Sequence, residues 1–295
     1  SAHLSRSRLK CFSAVGIDAW SYEWTILAQR LLAVSNNLFG FDYSKYDGML
    51  PAQLVERVAN IVNRWYDDGA ENARVRKVLF LEAAHATHIV GNAVYECVHG
   101  NPSGNPYTVV INTVVNAMFL RYAWQQLVPL EYRSMVHYNE HVRDIFYGDD
   151  GLIAVSDECR GWFNLETVAD FLKSIDIDVS MPDKLSAIIP YAPIERWDFL
   201  KNGFRQDEYG VWRPQMALDT IYELTNWIRA GGPHEEEESL VMNCRDALHF
   251  AFHYGPTLYN ELRVKIWKAL VSEGIKPELP SFQEENNVWM MKKTA

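Results

Sequence analysis

The sequence predicts an α+β chain, with strands that fold back on themselves among helices up to about Pro214 and helices alone beyond it. Two stretches carry the strands. "HVRDIFYGDDGLIAVS" has β-prone arms at 142–146 and 152–155 joined through Gly148, Asp149, Asp150 and Gly151, and "WDFLKNGFRQDEYGVWRP" repeats the hairpin pattern. The third observation is the change at Ala217, after which "ALDTIYELTNWIRA", "EEEESLVMNCRDALHFAFHYG" and "TLYNELRVKIWKALVSEG" all show helical patterning.

From the N-terminus, the first helix is expected over about 21–34. A buried strand over 38–42 follows, then a turn at 44–48. Pro51 suits the first turn of a helix in which Leu54, Val58, Ile61, Val62 and Trp65 recur at helical spacing until Gly69. A second helix is expected over 72–89, then a short strand in "NAVYECV" and a loop rich in Gly, Pro, Ser and Asn. Asn105–Pro106 signals the start of a long apolar helix near Tyr107, in which 109–120 read as core apart from Asn112. After the Asp-Asp hairpin come a helix at 165–174, a short strand with "MPDKLS" and the second hairpin. The run Glu235–Glu238 is the solvated first turn of a helix, where acids suit the macrodipole. No internal repeat or low-complexity linker interrupts the chain.

With 295 residues and 48% hydrophobic content, the chain is long enough for one large or two modest cores. No apolar run approaches a membrane span, and "SAHLSRSRLK" lacks the apolar stretch of a secretory signal, so a cytoplasmic protein is expected. Cys11, Cys97, Cys159 and Cys244 lie far apart with no C-x-x-C pair, which suits reduced thiols. His85 and His88, at i, i+3 spacing, have no obvious matching ligand pair and are assigned to a helix surface or interface. The net charge of −10 argues against a surface that tracks phosphates throughout.

The acids are the informative residues. In "FGFDYSKYDGML", Asp42 and Asp47 stand five positions apart, which puts them on opposite faces of a strand and about 140° apart round a helix. The backbone must change conformation between them, with Asp42 at a strand's end and Asp47 above it on the turn. If that strand pairs beside the Asp149 hairpin, Asp42, Asp149 and Asp150 converge. Three carboxylates in contact repel unless a divalent cation neutralises them, and hard oxygen ligands point to Mg²⁺ or Mn²⁺. Two such ions about 4 Å apart would activate an attacking hydroxyl and stabilise a leaving pyrophosphate. A single Asp at a loop tip is more often merely solvated; four features occurring in order shift that balance.

Those features are "DYSKYD", "PSGNPYTVVIN", "YGDD" and "FLKNGFR". Over roughly residues 10–275 the chain resembles the RNA-dependent RNA polymerases of picorna-like positive-strand RNA viruses, on the iflavirus and dicistrovirus side. In that family motifs A to E run in this order along a palm and into a thumb. The resemblance implies a right-hand polymerase palm, an antiparallel sheet with helices on one side, over 38–214. An all-α thumb over 215–295 follows it, and 1–37 form a residual fingers segment leading into the palm.

The resemblance also implies roles for individual residues. Asp42 and Asp149 match the principal metal-binding aspartates, Asp150 the secondary acid, and the Tyr43 carbonyl completes a metal shell. Asp47, with Asn112, matches the pair that senses the ribose 2′-hydroxyl, a group able to bond both a carboxylate and an amide. Ser103 and Gly104 match the flexible motif B loop, and Thr108 the threonine at the start of the following helix, within the sugar-selecting network. Lys184 matches the motif D lysine that acts as general acid to pyrophosphate. Phe199, Leu200 and Lys201 match the turn that supports the primer. Pro106–Tyr107 depart from the second small residue that many mammalian picornavirus enzymes carry there.

The implied reaction is template-directed RNA synthesis from NTPs on an RNA template and primer, with two Mg²⁺ or Mn²⁺ ions. Priming by a small protein, contact with other viral replication proteins, and a place at membrane-associated replication complexes in the host cytoplasm come with the resemblance; DNA and direct membrane insertion do not. The basic motif F belongs upstream of these residues, and "SRSRLK" is too short to replace it. The sequence is therefore expected to be a palm and thumb portion of a longer polymerase, weakly active or inactive alone. Two other classes stay open: a metal-dependent nuclease, which needs no ribose-sensing pair, and a non-catalytic assembly or protein-binding module.

Overall fold

The computed structural model describes residues 5–97, 99–228 and 235–294. It divides into two compact units, one formed by Arg30–Trp197 with the segment ending at Ile17, the other by Asp18–Gln29 with the chain from Asp198 onward.

At the centre of the first unit is a three-stranded antiparallel sheet. Strands β1 (Leu38–Gly40), β5 (Val142–Tyr147) and β6 (Asp150–Val155) lie in the order β1-β6-β5, with Gly40 opposite Leu152 and Tyr147 opposite Asp150. The β5–β6 hairpin forms where expected. Gly148 takes φ 68° in its turn, a conformation that costs glycine little. Leu38, Phe39, Ile145, Phe146, Leu152 and Ile153 are fully buried, and Ser13 and Ala192 bridge to the two sheet edges, which would otherwise stand open. The helix Thr108–Leu127 packs on β5 and on the helix Leu165–Lys173. The latter starts with a capping box between Asn164 and Thr167.

One acid inside this unit is structural. Asp144 on β5 is 4% exposed, and its carboxylate accepts from Arg121 Nη1 at 2.9 Å and Tyr138 Oη at 2.8 Å, so the buried charge is paired and hydrogen-bonded.

Three local expectations need correction. The strand expected over 38–42 breaks at Phe41: Asp42–Tyr43 form a separate strand, β2, that leaves the sheet to pair antiparallel with β7 (Val179–Ser180). The turn expected at 44–48 contains a four-residue helix, Tyr46–Met49, before the helix Ala52–Tyr66 that Pro51 precedes. The second helix, Ala70–Ala84, stops short of Ile89; Thr87–Val90 (β3) pairs instead with Ala93–Glu96 (β4) across Gly91–Asn92. The β-branched run Thr87, Ile89 and Val90 next to a Gly-Asn turn explains this outcome. His85 is thus a helix C-cap and His88 a strand residue stacked on Tyr95, which removes their helical spacing.

From Asp198 the second unit carries a hairpin sheet, β8 (Asp198–Phe199), β9 (Asn202–Gln206) and β10 (Trp212–Met216). The helices Leu218–Glu223, Glu236–Ala251, Pro256–Ser272 and Phe282–Thr294 follow. Compact packing therefore changes at Trp197, upstream of the composition change near Pro214. Trp24 stacks on Phe204 at 4.6 Å, and Arg205 and Gln215 donate to the His253 carbonyl, so this sheet is tied to the helical part. The core there is built on Ile221, Ala247, Leu248, Ala251, Tyr259 and Ile266.

Candidate active site

Asp42 lies on β2, one residue before the buried Tyr43, and Asp149 lies in the turn that opens β6. The carboxyl of Asp149 is pushed up, first by burial and then by the negative charges of Asp47 and Asp42. The three acids therefore share one electrostatic neighbourhood. Asp150 takes its place in the ladder opposite Tyr147. Among the described residues no group of three His, Cys, Asp or Glu stands close enough to hold a metal, so the expected Asp42–Asp149–Asp150 cluster is not closed. The departure of β2 from the sheet accounts for this, because the β1–β6 ladder ends at Gly40–Leu152 before it reaches the acids.

A cation is nonetheless drawn to this field. The β2–β7 pairing brings the loop after Ser180 beside Asp42, and Lys184 Nζ lies 2.8 Å from Asp42 Oδ2. The ammonium is held protonated chiefly by that hydrogen bond, and it is largely exposed. Lys184 itself takes φ 59°, an uncommon conformation for a residue with a side chain. Asp42 and Asp149 are oxygen donors of the kind a hard divalent cation takes, and the Lys184 ammonium stands against one of them.

Asp47 sits on the short helix Tyr46–Met49 and faces the motif B loop. Its Oδ1 accepts from Asn112 Nδ2 at 2.6 Å and its Oδ2 from Ser103 Oγ at 2.7 Å. The backbone supports this contact, since Asn101 N–H donates to the Asp47 carbonyl and Gly100 N–H to that of Leu50, each at 2.7 Å. Gly104 takes φ 89° with open space about it. Thr108 begins the long helix, and its hydroxyl donates to the Pro102 carbonyl at 2.6 Å, so it fastens the loop. A cavity of about 230 Å³ lies behind the loop, lined in part by Asp47, Cys97, Asn101 and Ser103.

Sequence reading missed three polar residues here. Asn101 Nδ2 donates to Asn112 Oδ1 at 2.8 Å and so fixes which way the Asn112 amide points. Thr113 Oγ1 accepts from Gly148 N–H at 2.8 Å. Asn116, fully buried, accepts from Tyr43 Oη at 2.9 Å and donates to the Asp149 carbonyl at 3.0 Å. The stretch 109–120 is core as read, but within it Thr113 and Asn116, besides Asn112, make polar contacts, theirs to the Gly148–Asp149 turn. The available signal was that Asn112 and Asn116 are four apart, hence on one face of an otherwise apolar helix.

Phe199, Leu200 and Lys201 belong to the second unit. Phe199 is buried against Trp24, while Leu200 and Lys201 form the two-residue turn of β8–β9 at φ 52° and 61°. Both central residues at positive φ are what the right-handed twist of a tight hairpin demands, but Asn-Gly normally supplies them. A Leu-Lys turn in that conformation stores strain.

A family model described as viral RNA-dependent RNA polymerase matches residues 2–271. The replicase polyprotein of acute bee paralysis virus is 33% identical over 258 residues, covering 84% of this chain and 13% of that polyprotein. The genome polyprotein of rice tungro spherical virus (strain Vt6) is 33% identical over 296 residues, covering 98% of this chain and 8% of the polyprotein. The chain thus spans a small part of the curated relatives it matches. Among solved structures, a sicinivirus 3Dpol RNA-dependent RNA polymerase superposes with a TM-score of 0.78 at 23% identity, over 96% of this chain and 57% of that one, and so shares its fold.

Proposed function

Because this chain belongs to the viral RNA-dependent RNA polymerase family, we propose that it carries the nucleotidyl-transfer centre of a polymerase that copies RNA from NTPs. The observation that carries the reading is the trio Asp47, Asn112 and Ser103, set in the same acidic neighbourhood as Asp42 and Asp149. A carboxylate that receives an amide N–H and a hydroxyl presents donor and acceptor together, the combination that reads a ribose 2′-hydroxyl.

Asp42 and Asp149 would hold Mg²⁺ or Mn²⁺, with Asp150 and the Tyr43 carbonyl as further oxygen donors. When bound, such a pair supplies an activated hydroxyl and charge neutralisation at the leaving pyrophosphate. Lys184, whose protonated Nζ stands beside Asp42, would give its proton to the leaving group. Phe199, Leu200 and Lys201 form the turn assigned to the primer. At net −10 the chain offers few cations in bulk for template and triphosphate, so robust synthesis is expected of a longer polymerase that includes it and weak or no synthesis of these residues alone. A protein primer, other replication proteins and a place at cytoplasmic replication membranes belong to the same reading; among the described residues no helix is long and apolar enough to cross a membrane.

The test is primer extension on an RNA template with Mg²⁺ or Mn²⁺, using the polymerase that contains this chain. Asp149→Ala is expected to abolish extension while the fold, followed by circular dichroism, persists. Undiminished extension by that variant would refute the assignment, and RNA cleavage without nucleotides would favour a nuclease.

A further inference from the structure

An acid on a strand and an acid in a turn can share a cation only if something sets their spacing, and the backbone does not do so directly. The β1–β6 ladder ends at Gly40–Leu152, and β2, which carries Asp42, turns away to pair with β7. Asp149 sits beyond the other end of that gap, in the β5–β6 turn.

One buried side chain spans it. Asn116 Oδ1 accepts from the hydroxyl of Tyr43, the residue next to Asp42, at 2.9 Å. Asn116 Nδ2 donates to the Asp149 carbonyl at 3.0 Å and to the Gly148 carbonyl at 3.4 Å. Thr113, on the same helix, takes the Gly148 N–H, so the turn is held at both its donor and its acceptor groups. Burying a carboxamide is costly unless its oxygen and nitrogen are both paired. Asn116 is at 0% exposure and both ends are paired, one to each acid-bearing segment. A Cβ at Gly151 would come within 3.6 Å of Asn116 Nδ2 and 2.6 Å of the Phe146 ring, so the hairpin is also packed closely about the amide.

We propose that Asn116 is a positioning residue that sets the separation of Asp42 and Asp149 by clamping the Tyr43 hydroxyl to the Gly148–Asp149 turn. It touches neither substrate nor metal; it acts through the backbone of Asp149 and the side chain of Tyr43. The inference rests on the reading of Asp42 and Asp149 as the metal-holding acids.

The test is Mn²⁺ binding, by electron paramagnetic resonance titration, to the polymerase containing this chain and to its Asn116→Leu, Tyr43→Phe and Asp149→Ala variants, each checked for cooperative thermal unfolding. Residues that orient metal ligands from outside typically contribute 10- to 100-fold in affinity. Asn116→Leu, close in volume but unable to hydrogen-bond, is expected to weaken Mn²⁺ binding by about 10-fold or more. Tyr43→Phe, which keeps the ring and the backbone, is expected to weaken it in the same direction. Should Asn116→Leu fail to fold, Tyr43→Phe decides alone. If Asp149→Ala weakens binding but folded Asn116→Leu or Tyr43→Phe stays within about twofold of the parent, a gap well below that range, the positioning role is overturned and the acid site stands. If Asp149→Ala itself leaves Mn²⁺ affinity unchanged, the acid-site reading falls and this inference falls with it.

Discussion

Replacing Asp47 by Asn would test the ribose-sensing trio with almost no change of shape. The Asn112 amide cannot turn to adapt, because its Oδ1 already receives Asn101 Nδ2 at 2.8 Å, so it presents N–H toward position 47. Ser103 presents its hydroxyl to the other oxygen at 2.7 Å. An Asn at 47 offers one acceptor where the carboxylate offers two and carries no charge, so both charge-assisted bonds are lost even if Ser103 turns to accept from its Nδ2. A hydrogen bond to a charged group is worth about 1.5–3 kcal/mol, and each 1.36 kcal/mol is tenfold in rate. If the trio reads the 2′-hydroxyl, the preference for UTP over dUTP should fall by about 10- to 150-fold, measured as the ratio of kcat/KM values in primer extension by the polymerase containing this chain. An equal loss for both nucleotides with the ratio unchanged would mean that Asp47 only holds the motif B loop, and the reasoning would be wrong.

Three further outcomes follow from the same geometry. Burial, then the charges of Asp47 and Asp42, hold the Asp149 carboxyl above its usual range, a contribution that stabilises the fold at acidic pH and is lost as pH rises through that raised value. Asp149→Asn should therefore raise Tm at pH 7 without divalent metal, by an increment that vanishes as the pH is lowered into the carboxylate range; a lower Tm at pH 7 would contradict this. Lys184→Met removes the ammonium that sits on Asp42, so Mn²⁺ should bind at least as tightly while the extension rate falls by about 100-fold or more, the usual worth of a general acid; an unchanged rate would remove Lys184 from the chemistry. Lys201→Gly relieves a left-handed residue whose strain is about 1–2 kcal/mol, so the urea midpoint should rise, and a fall would show that the turn is not strained as its φ values imply.

The local elements were largely legible because their signals are local. Two β-prone arms on either side of Gly148–Gly151 marked the hairpin, and a long apolar run after Asn105–Pro106 marked the helix Thr108–Leu127. The stretch 72–89 failed for an instructive reason: the helix stops at Ala84, and the β-branched residues before Gly91 found a pairing partner. The compact division at Trp197 was likewise hidden, because the β9–β10 hairpin has the composition of the first unit and the hydrogen bonds of the second.

At the site, sequence by itself determined which residue types were present and in what order, enough for the motif series to identify a polymerase family and to single out Asp42, Asp47, Asn112, Asp149 and Lys184. Tertiary structure alone decided which of them meet. Asp47 reaches Asn112 across 65 residues and Tyr43 reaches Asn116 across 73, and a buried asparagine on an apolar helix carries no mark of its partner until the chain has closed. The break at Phe41, which turns β2 from the sheet and leaves the acids to be spaced by a side chain, is also a tertiary event. A strand's residues declare which face they prefer, but the neighbour with which their backbone pairs is set by the competition of distant segments for the same hydrogen bonds.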